Sequence, residues 1–330
     1  MKKVDELFDL TIIGGGPTGL FAAYYSGFRG MKVKIIDSLE ELGGQVTALY
    51  PEKLIFDVAG FPQIYGKDLV KNLVDQGLQY RPTVCLGERV EKVQAGADKT
   101  YALTTVKGIH RSRAVLVTIG IGAFNPKRIP APNAAKFEGR GLSYFVPDIT
   151  KYDGKRVVIV GGGDSAVDWA LNLKARAAAV TLVHRRDGFR AHEESVRQLK
   201  ESAVSLKLFC EIKDLQGDAH LAAVALVNNK TKAEETVQAD EVLACLGFEA
   251  SVGPLAQWGL TLQGNDIPVT TRMETNLPGV YAAGDVAAYP GKVKLIAAAF
   301  GEAATAVNNA AAYLNPGASV FPGHSSNQSK

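Results

Sequence analysis

The chain has 330 residues, room for about two domains at roughly 150 residues each, and that length excludes a peptide, a collagen-like repeat and a disulfide mini-protein. Its 37 Lys and Arg against 34 Asp and Glu leave a net charge of +3 spread along the chain, too mild to announce a nucleic-acid partner. A hydrophobic fraction of 46% beside 22% charged residues is that of an ordinary globular protein and excludes disorder.

The first residues, MKKVDELFDL, carry Asp5, Glu6 and Asp9 and run straight into a strand, so no signal segment is expected. No run of 18 or more apolar residues follows anywhere, which argues against a membrane span. Residues 9–15 read DLTIIGG, an apolar β-rich run ending in glycine, and PTGLFAAYYSGFRG after it reads as a helix with Pro17 in its first turn. Gly14, Gly16 and Gly19 form G-x-G-x-x-G in that strand-turn-helix context. The first glycine allows the tight turn, the second lets backbone approach a pyrophosphate, and the third lets helix pack on strand. The next strand, MKVKIID, ends in Asp37, 23 residues beyond Gly14, where a carboxylate accepts hydrogen bonds from a ribose 2′-hydroxyl.

Residues 157–166, VVIVGGGDSA, repeat the pattern with Gly161, Gly163 and Ala166, followed by a helical VDWALNLKARA and the strand VTLV. Asp164 and Ser165 lie inside this second turn. The position equivalent to Asp37 is His184, followed by Arg185 and Arg186, with Arg190 close behind. A carboxylate there repels a ribose 2′-phosphate, whereas guanidinium groups bind it, so the second site is expected to prefer NADP over NAD. The competing reading of HRRDGFR is a solvated basic loop, which its placement at a strand end disfavours. His184 is a candidate adenosine-side contact.

Farther on, TNLPGVYAAGDVA places a short strand before Gly284 and Asp285, and an acid at such a tip suits a cofactor hydroxyl. The long small-residue helix in KLIAAAFGEAATAVNNAAAYL follows it; taken alone, this fragment reads equally as a buried core helix. Cys85, Cys210 and Cys245 are widely separated and read as buried, reduced thiols of a cytoplasmic protein, without metal-ligand spacing.

GGGPTG, GGGDSA with HRR after it, and YAAGDVA stand in the order of two-dinucleotide-domain flavoprotein reductases, and the whole chain resembles the thioredoxin-reductase-like group. That resemblance implies an α/β protein of two Rossmann-like, three-layer dinucleotide-binding domains, with an NADP-binding domain of residues 124–248 inserted into a discontinuous FAD-binding domain of residues 1–123 and 249–330. The implied cofactors are FAD and NADP(H). A hinge at the two crossings, acting as a gate, is expected to bring nicotinamide and flavin together.

One departure is informative. Thioredoxin reductases carry a redox-active C-A-T-C before the second glycine turn, and here that stretch reads Ser143, Tyr144, Phe145, Val146, Pro147, Asp148. Without a dithiol the usual disulfide exchange is closed, and electrons must leave directly from the flavin. The pattern is similar to the bacterial ferredoxin–NADP reductases of thioredoxin-reductase type. By that resemblance Tyr50, after the turn Gly43-Gly44-Gln45, stacks on the flavin, and His324, with Ser325 and Ser326, covers its other face from a C-terminal tail. Thr18 lies near the pyrophosphate, Val90 offers backbone to the adenine, and Phe124 and Asp285 line the flavin and ribityl chain. The implied partner is an acidic electron carrier, ferredoxin or flavodoxin, which a pI near 8.6 suits. A homodimer is implied as well, its tails crossing between subunits. No protein acid, base or nucleophile is required, since the flavin carries the chemistry. The rival enzymatic readings are an NADPH oxidase and a reductase of a low-molecular-weight disulfide, quinone or ferric complex.

Overall fold

The computed structural model describes residues 6–251, 253–324 and 326. The chain divides into two compact units, Met1–Phe124 with Ala250–Lys330, and Asn125–Glu249. Both crossings run as short strands, Ala123–Pro126 and Phe248–Ser251, that pair with each other.

The first unit is organised by the strand Leu7–Ile13, which is buried on both faces from Leu10 to Ile13, as a central parallel strand requires. It pairs in parallel with Val33–Ile36 on one side and Gly108–Val117 on the other, in the registers Ile13↔Ile36 and Ile13↔Val117. Thr83–Cys85 extends the parallel sheet at one edge. Val280–Ala282 returns late in the chain to pair with Gly108–Val117, Ala282 opposite Val117. An antiparallel meander, Tyr101–Thr105 and Val90–Ala95, is attached to the first half of Gly108–Val117.

The helices Pro17–Phe28 and Ile296–Leu314 cover one face of that sheet, with Ala22, Ala23, Ala303, Ala306 and Ala310 buried against Leu10, Ile12 and Leu116. These small side chains let the helices lie close to the sheet and to each other. The opposite face buries Ile13, Val93, Leu103, Val117, Leu255 and Trp258.

The second unit has a five-stranded parallel sheet ordered Leu142–Ser143, Glu241–Ala244, Arg156–Val160, Ala179–His184, Ser205–Leu208. Alternation along Arg156–Val160 builds two cores. Val157 and Ile159 pack with Ala166, Val167, Ala170 and Leu173 of the helix Asp164–Leu173. Val158 and Val160 face Ile212, Leu215, Val224 and Leu226 of an antiparallel sheet formed by Cys210–Gln216, Ala223–Asn228 and Glu234–Gln238. Among the described residues no helix is long and apolar enough to cross a membrane.

Candidate functional site

In the first unit the glycine turn is built by close contacts that no side chain could share. Gly14 sits at φ +109 with its N–H on the Ile36 carbonyl at 2.9 Å, and a Cβ there would lie 2.5 Å from the Thr118 carbonyl oxygen. At Gly19 a Cβ would lie 1.9 Å from the Gly14 carbonyl oxygen, so this glycine sets how closely the helix approaches the strand. Gly16 is different: a Cβ there would meet only Gly44 Cα, at 3.8 Å. Gly16 is also the N-cap of Pro17–Phe28 and provides no side-chain cap, so the first-turn amides face outward with the positive end of the helix dipole.

Three other segments converge on this turn. The Gly43 N–H donates to the Gly15 carbonyl at 2.9 Å, which seats the Gly43-Gly44 turn on the glycine loop and delivers Gln45 at the start of the helix Gln45–Leu49. Tyr50 follows at the end of that helix. Its hydroxyl is pushed up to about 12 by burial, with the carboxylates of Asp285 and Asp57 adding to the shift. The second segment is the Gly284-Asp285 tip beyond Val280–Ala282. A Cβ on Gly284 would lie 2.7 Å from Thr18 Oγ1, so this tip abuts the first turn of the glycine helix. Burial also raises the Asp285 carboxyl above its usual range, while Lys292 and Lys294 pull it down.

Asp37 lies just beyond its strand and is 7% exposed. Its Oδ2 accepts the Gly15 N–H at 2.5 Å and its Oδ1 the Leu39 N–H at 2.8 Å. Burial raises its pKa and these bonds oppose the shift. Asp37 therefore braces the glycine turn itself, a role that its assignment to a ribose does not include. The Asp37 carbonyl accepts the Glu88 N–H at 2.9 Å, which brings the chain into Val90, buried at the start of Val90–Ala95, beside the same turn.

His324 is exposed, its ring edge against Phe321 at 5.2 Å. The tail before it is clipped by Arg29, whose guanidinium donates to the carbonyls of Ser319 at 2.8 Å and Val320 at 3.1 Å and to Asn308 Oδ1 at 3.0 Å. Ser326 is exposed. Ser325 and the side chain of Phe124 lie outside the described residues.

In the second unit Gly161 sits at φ +152, where a Cβ would lie 2.4 Å from the Cys245 carbonyl oxygen and 3.0 Å from the Ala166 methyl. Gly163 is the N-cap of Asp164–Leu173, again without a side-chain cap. Asp164 and Ser165 are exposed in the first turn. The basic loop folds back over this turn: the Arg190 N–H donates to the Gly162 carbonyl at 2.7 Å, and the His192 N–H donates to Asp164 Oδ1 at 2.9 Å. The His184 ring lies against Gly162, stacks on Phe189 at 5.2 Å and reaches the Gly188 carbonyl with Nε2 at 3.1 Å, so it packs the loop internally. Arg185, Arg186 and Arg190 are exposed, and among the described residues none has an ion-pair partner.

Two contributors escaped the sequence reading. Asn229 donates from Nδ2 to the Arg185 carbonyl at 2.8 Å and to Glu211 Oε1 at 3.1 Å, tying the antiparallel sheet to the basic loop. Glu302, 5% exposed, accepts the Gly284 N–H on Oε2 at 2.8 Å. Neither residue belongs to a motif, and only the folded chain brings them to the glycine turns.

The family model described as pyridine nucleotide-disulphide oxidoreductase matches residues 8–303. The chain is 53% identical to a ferredoxin–NADP reductase of Halalkalibacterium halodurans over 326 residues, covering 98% of this chain and 99% of that protein. It is 52% identical, with the same coverage, to ferredoxin–NADP reductase 2 of Shouchella clausii. Among solved structures the thioredoxin reductase of T. acidophilum matches with a TM-score of 0.79 at 26% identity, over 93% of this chain and 99% of that one. The fold is thus thioredoxin-reductase-like, a two-domain α/β architecture.

Proposed function

This chain belongs to the pyridine nucleotide-disulphide oxidoreductase family and, within it, to the ferredoxin–NADP reductases, and on that premise we propose how its residues serve the reaction. It is a FAD-dependent oxidoreductase that passes electrons between NADP(H) and ferredoxin without a redox-active dithiol. The observation that carries this route is the stretch of residues 143–148, which has no cysteine, in a chain whose Cys85, Cys210 and Cys245 form no disulfide with one another.

The first unit fits a flavin nucleotide: open space at Gly16, an uncapped helix N-terminus for a pyrophosphate, and a half-buried acid at Asp285 for a hydroxylated chain. When bound, FAD supplies the coupling of two-electron to one-electron transfer. Around it Gly14, Gly16, Thr18 and Gly19 hold the pyrophosphate, Asp37 and Val90 the adenosine, Gln45 and Asp285 the flavin side, and Tyr50 and Phe124 stack or line the ring. In the second unit Gly161, Gly163, Asp164, Ser165 and Ala166 hold the NADP pyrophosphate, Arg185, Arg186 and Arg190 its 2′-phosphate, and His184 supports that loop from beneath. The three unpaired guanidinium groups support NADP over NAD.

The position of the tail supports a homodimer. Arg29 clips it at the C-terminal end of a 12-residue helix, about 18 Å from the glycine turn at the other end, whereas four residues from Val320 to His324 span at most about 14 Å. By the family resemblance His324, with Ser325 and Ser326, serves the flavin of a second copy, and this placement of the tail supports that reading. The protein works in the cytoplasm, where reduced ferredoxin or flavodoxin is met. The test is an acceptor panel under NADPH, with the flavin absorbance followed: ferredoxin, flavodoxin, dioxygen, disulfides, quinones and ferric chelates. Ferredoxin or flavodoxin should reoxidise the flavin fastest, and faster turnover on a disulfide or dioxygen would overturn the assignment.

A further inference from the structure

Glu302 is a buried carboxylate to which the electron-transfer reading gives no task. It lies in the second turn of Ile296–Leu314 and gathers three donors from two other segments. Its Oε2 accepts the Gly284 N–H at 2.8 Å, its Oε1 accepts the Tyr289 hydroxyl at 2.6 Å, and the Lys292 ammonium pairs with that same Oε1. Both side chains of the ion pair are buried, Lys292 at 8% and Glu302 at 5% exposure. The Tyr289 hydroxyl is pushed up to about 12, first by its bond to Glu302.

Such a pair is a poor device for stability alone, because two desolvated charges barely offset their own desolvation and apolar residues of similar volume serve a core at least as well. What it touches is more telling. The anchored N–H belongs to Gly284, which sits at φ +81 against Thr18 and immediately precedes Asp285. Lys292 is in turn the foremost charge acting on Asp285. The pair thus fixes the backbone of the tip through Gly284 and acts on its acid through the charge of Lys292.

We propose that Glu302 and Lys292 form a positioning pair for the flavin, Glu302 fixing the Gly284-Asp285 tip against Thr18 while Lys292 balances the charge of Glu302 and Asp285 beside the cofactor. The inference rests on the reading of Asp285 as a flavin-site residue and assigns the pair two separable effects. Removing the charge of Glu302 leaves a buried ammonium uncompensated next to an acceptor of negative charge, which favours reduction. Removing the charge of Lys292 leaves a buried carboxylate uncompensated, which disfavours it.

The experiment compares the parent holoprotein with Glu302→Gln, Lys292→Met and the double variant Glu302→Gln/Lys292→Met. FAD affinity is read by titrating deflavinated protein, and the flavin midpoint potential by spectroelectrochemical titration. Glu302→Gln should weaken FAD binding about tenfold or more and move the midpoint positive. Lys292→Met should move the midpoint negative, and the double variant should return it toward the parent value. Midpoints that move in the same direction in both single variants, or that do not move, overturn the proposal. Should Glu302→Gln fail to fold, Lys292→Met decides alone, an unchanged or positive midpoint overturning the pair. A parent protein that binds no FAD would instead overturn the flavin assignment of the first unit, an outcome distinct from either.

Discussion

The main-chain N–H of Arg190 lies 2.7 Å from the carbonyl of Gly162, and through this bond the basic loop is laid over the second glycine turn. Gly163 and Arg190 form a β-bridge at the same place, and His192 closes the loop onto Asp164. Arg185, Arg186 and Arg190 therefore lie on one loop that curls back over the glycine turn, and all three are exposed. Asn229 secures the far side by holding the Arg185 carbonyl at 2.8 Å. The loop is braced by backbone bonds and its guanidinium groups are left for a ligand.

Replacing Arg185 or Arg186 by Ala should accordingly act on the phosphate and little else. Each charge-assisted contact is worth about 1.5–3 kcal/mol, so each substitution should lower kcat/KM for NADPH roughly 10- to 100-fold, chiefly through KM. Turnover with NADH, which has no 2′-phosphate, should change little. Steady-state kinetics with both nucleotides checks this, and equal losses with the two would remove the basis of the NADP preference.

The three glycines of the first turn should separate folding from binding. An alanine methyl at Gly19 must displace the Gly14 carbonyl oxygen, which lies 1.9 Å from the Cβ position, so Gly19→Ala should cost about 1–3 kcal/mol or more and shift the helix from the strand. Gly16→Ala meets nothing closer than 3.8 Å and should cost less than about 1 kcal/mol in the cofactor-free protein. Its methyl nevertheless occupies the open face proposed for the pyrophosphate. Thermal melts of the deflavinated proteins together with FAD titrations should show Gly19→Ala losing stability and Gly16→Ala losing affinity.

The features legible in the sequence were those written as local punctuation. Gly14, Gly16 and Gly19 between an apolar run and a Pro-initiated helix announce a strand-turn-helix because each glycine meets a backbone restriction, and the helix indeed begins at Pro17. The second copy is legible for the same reason, and the exchange of an acid for His184, Arg185 and Arg186 carries its chemical meaning without a structure. What was not legible depends on contacts across long stretches of chain. Asp37 reads from its position as a ribose ligand, yet its carboxylate braces Gly15 and Leu39, since only the fold reveals those two N–H groups converging on it. Glu302 and Asn229 lie within a small-residue helix and after an antiparallel strand, with no motif around either.

In the second unit the ion pair of Arg156 and Asp240 should impose a pH dependence on stability. Asp240 accepts the Arg156 N–H on Oδ2 at 2.8 Å and its guanidinium on Oδ1 at 2.6 Å, and these hold its carboxyl down at about 2. Because the folded value lies below the ordinary 3.8, the ionised form favours the folded state. The contribution is complete above about pH 4 and is lost as pH falls toward 2. With the carboxylate 30% exposed, solvent screening limits it to about 1 kcal/mol, or roughly 2–4 °C in Tm. Asp240→Asn should therefore be less stable than the parent at pH 7, and urea unfolding at decreasing pH should bring the two midpoints together.

The tail offers the last test, since Arg29 fixes it at a point remote from the glycine turn of its own chain. Truncation before His324 should leave FAD bound, because every residue that braces the first glycine turn lies upstream, and should change the rate at which ferredoxin reoxidises the flavin. Arg29→Ala removes the bonds to Ser319, Val320 and Asn308 and should reproduce part of that change with the tail intact. If His324 serves a second copy, mixing a tail-truncated chain with a Tyr50→Ser chain should rebuild one flavin that has both residues. Turnover in the mixture should then exceed the mean of the two variants measured apart. Strictly additive rates would place the tail over its own flavin, and unchanged kinetics on truncation would exclude His324 from the site altogether.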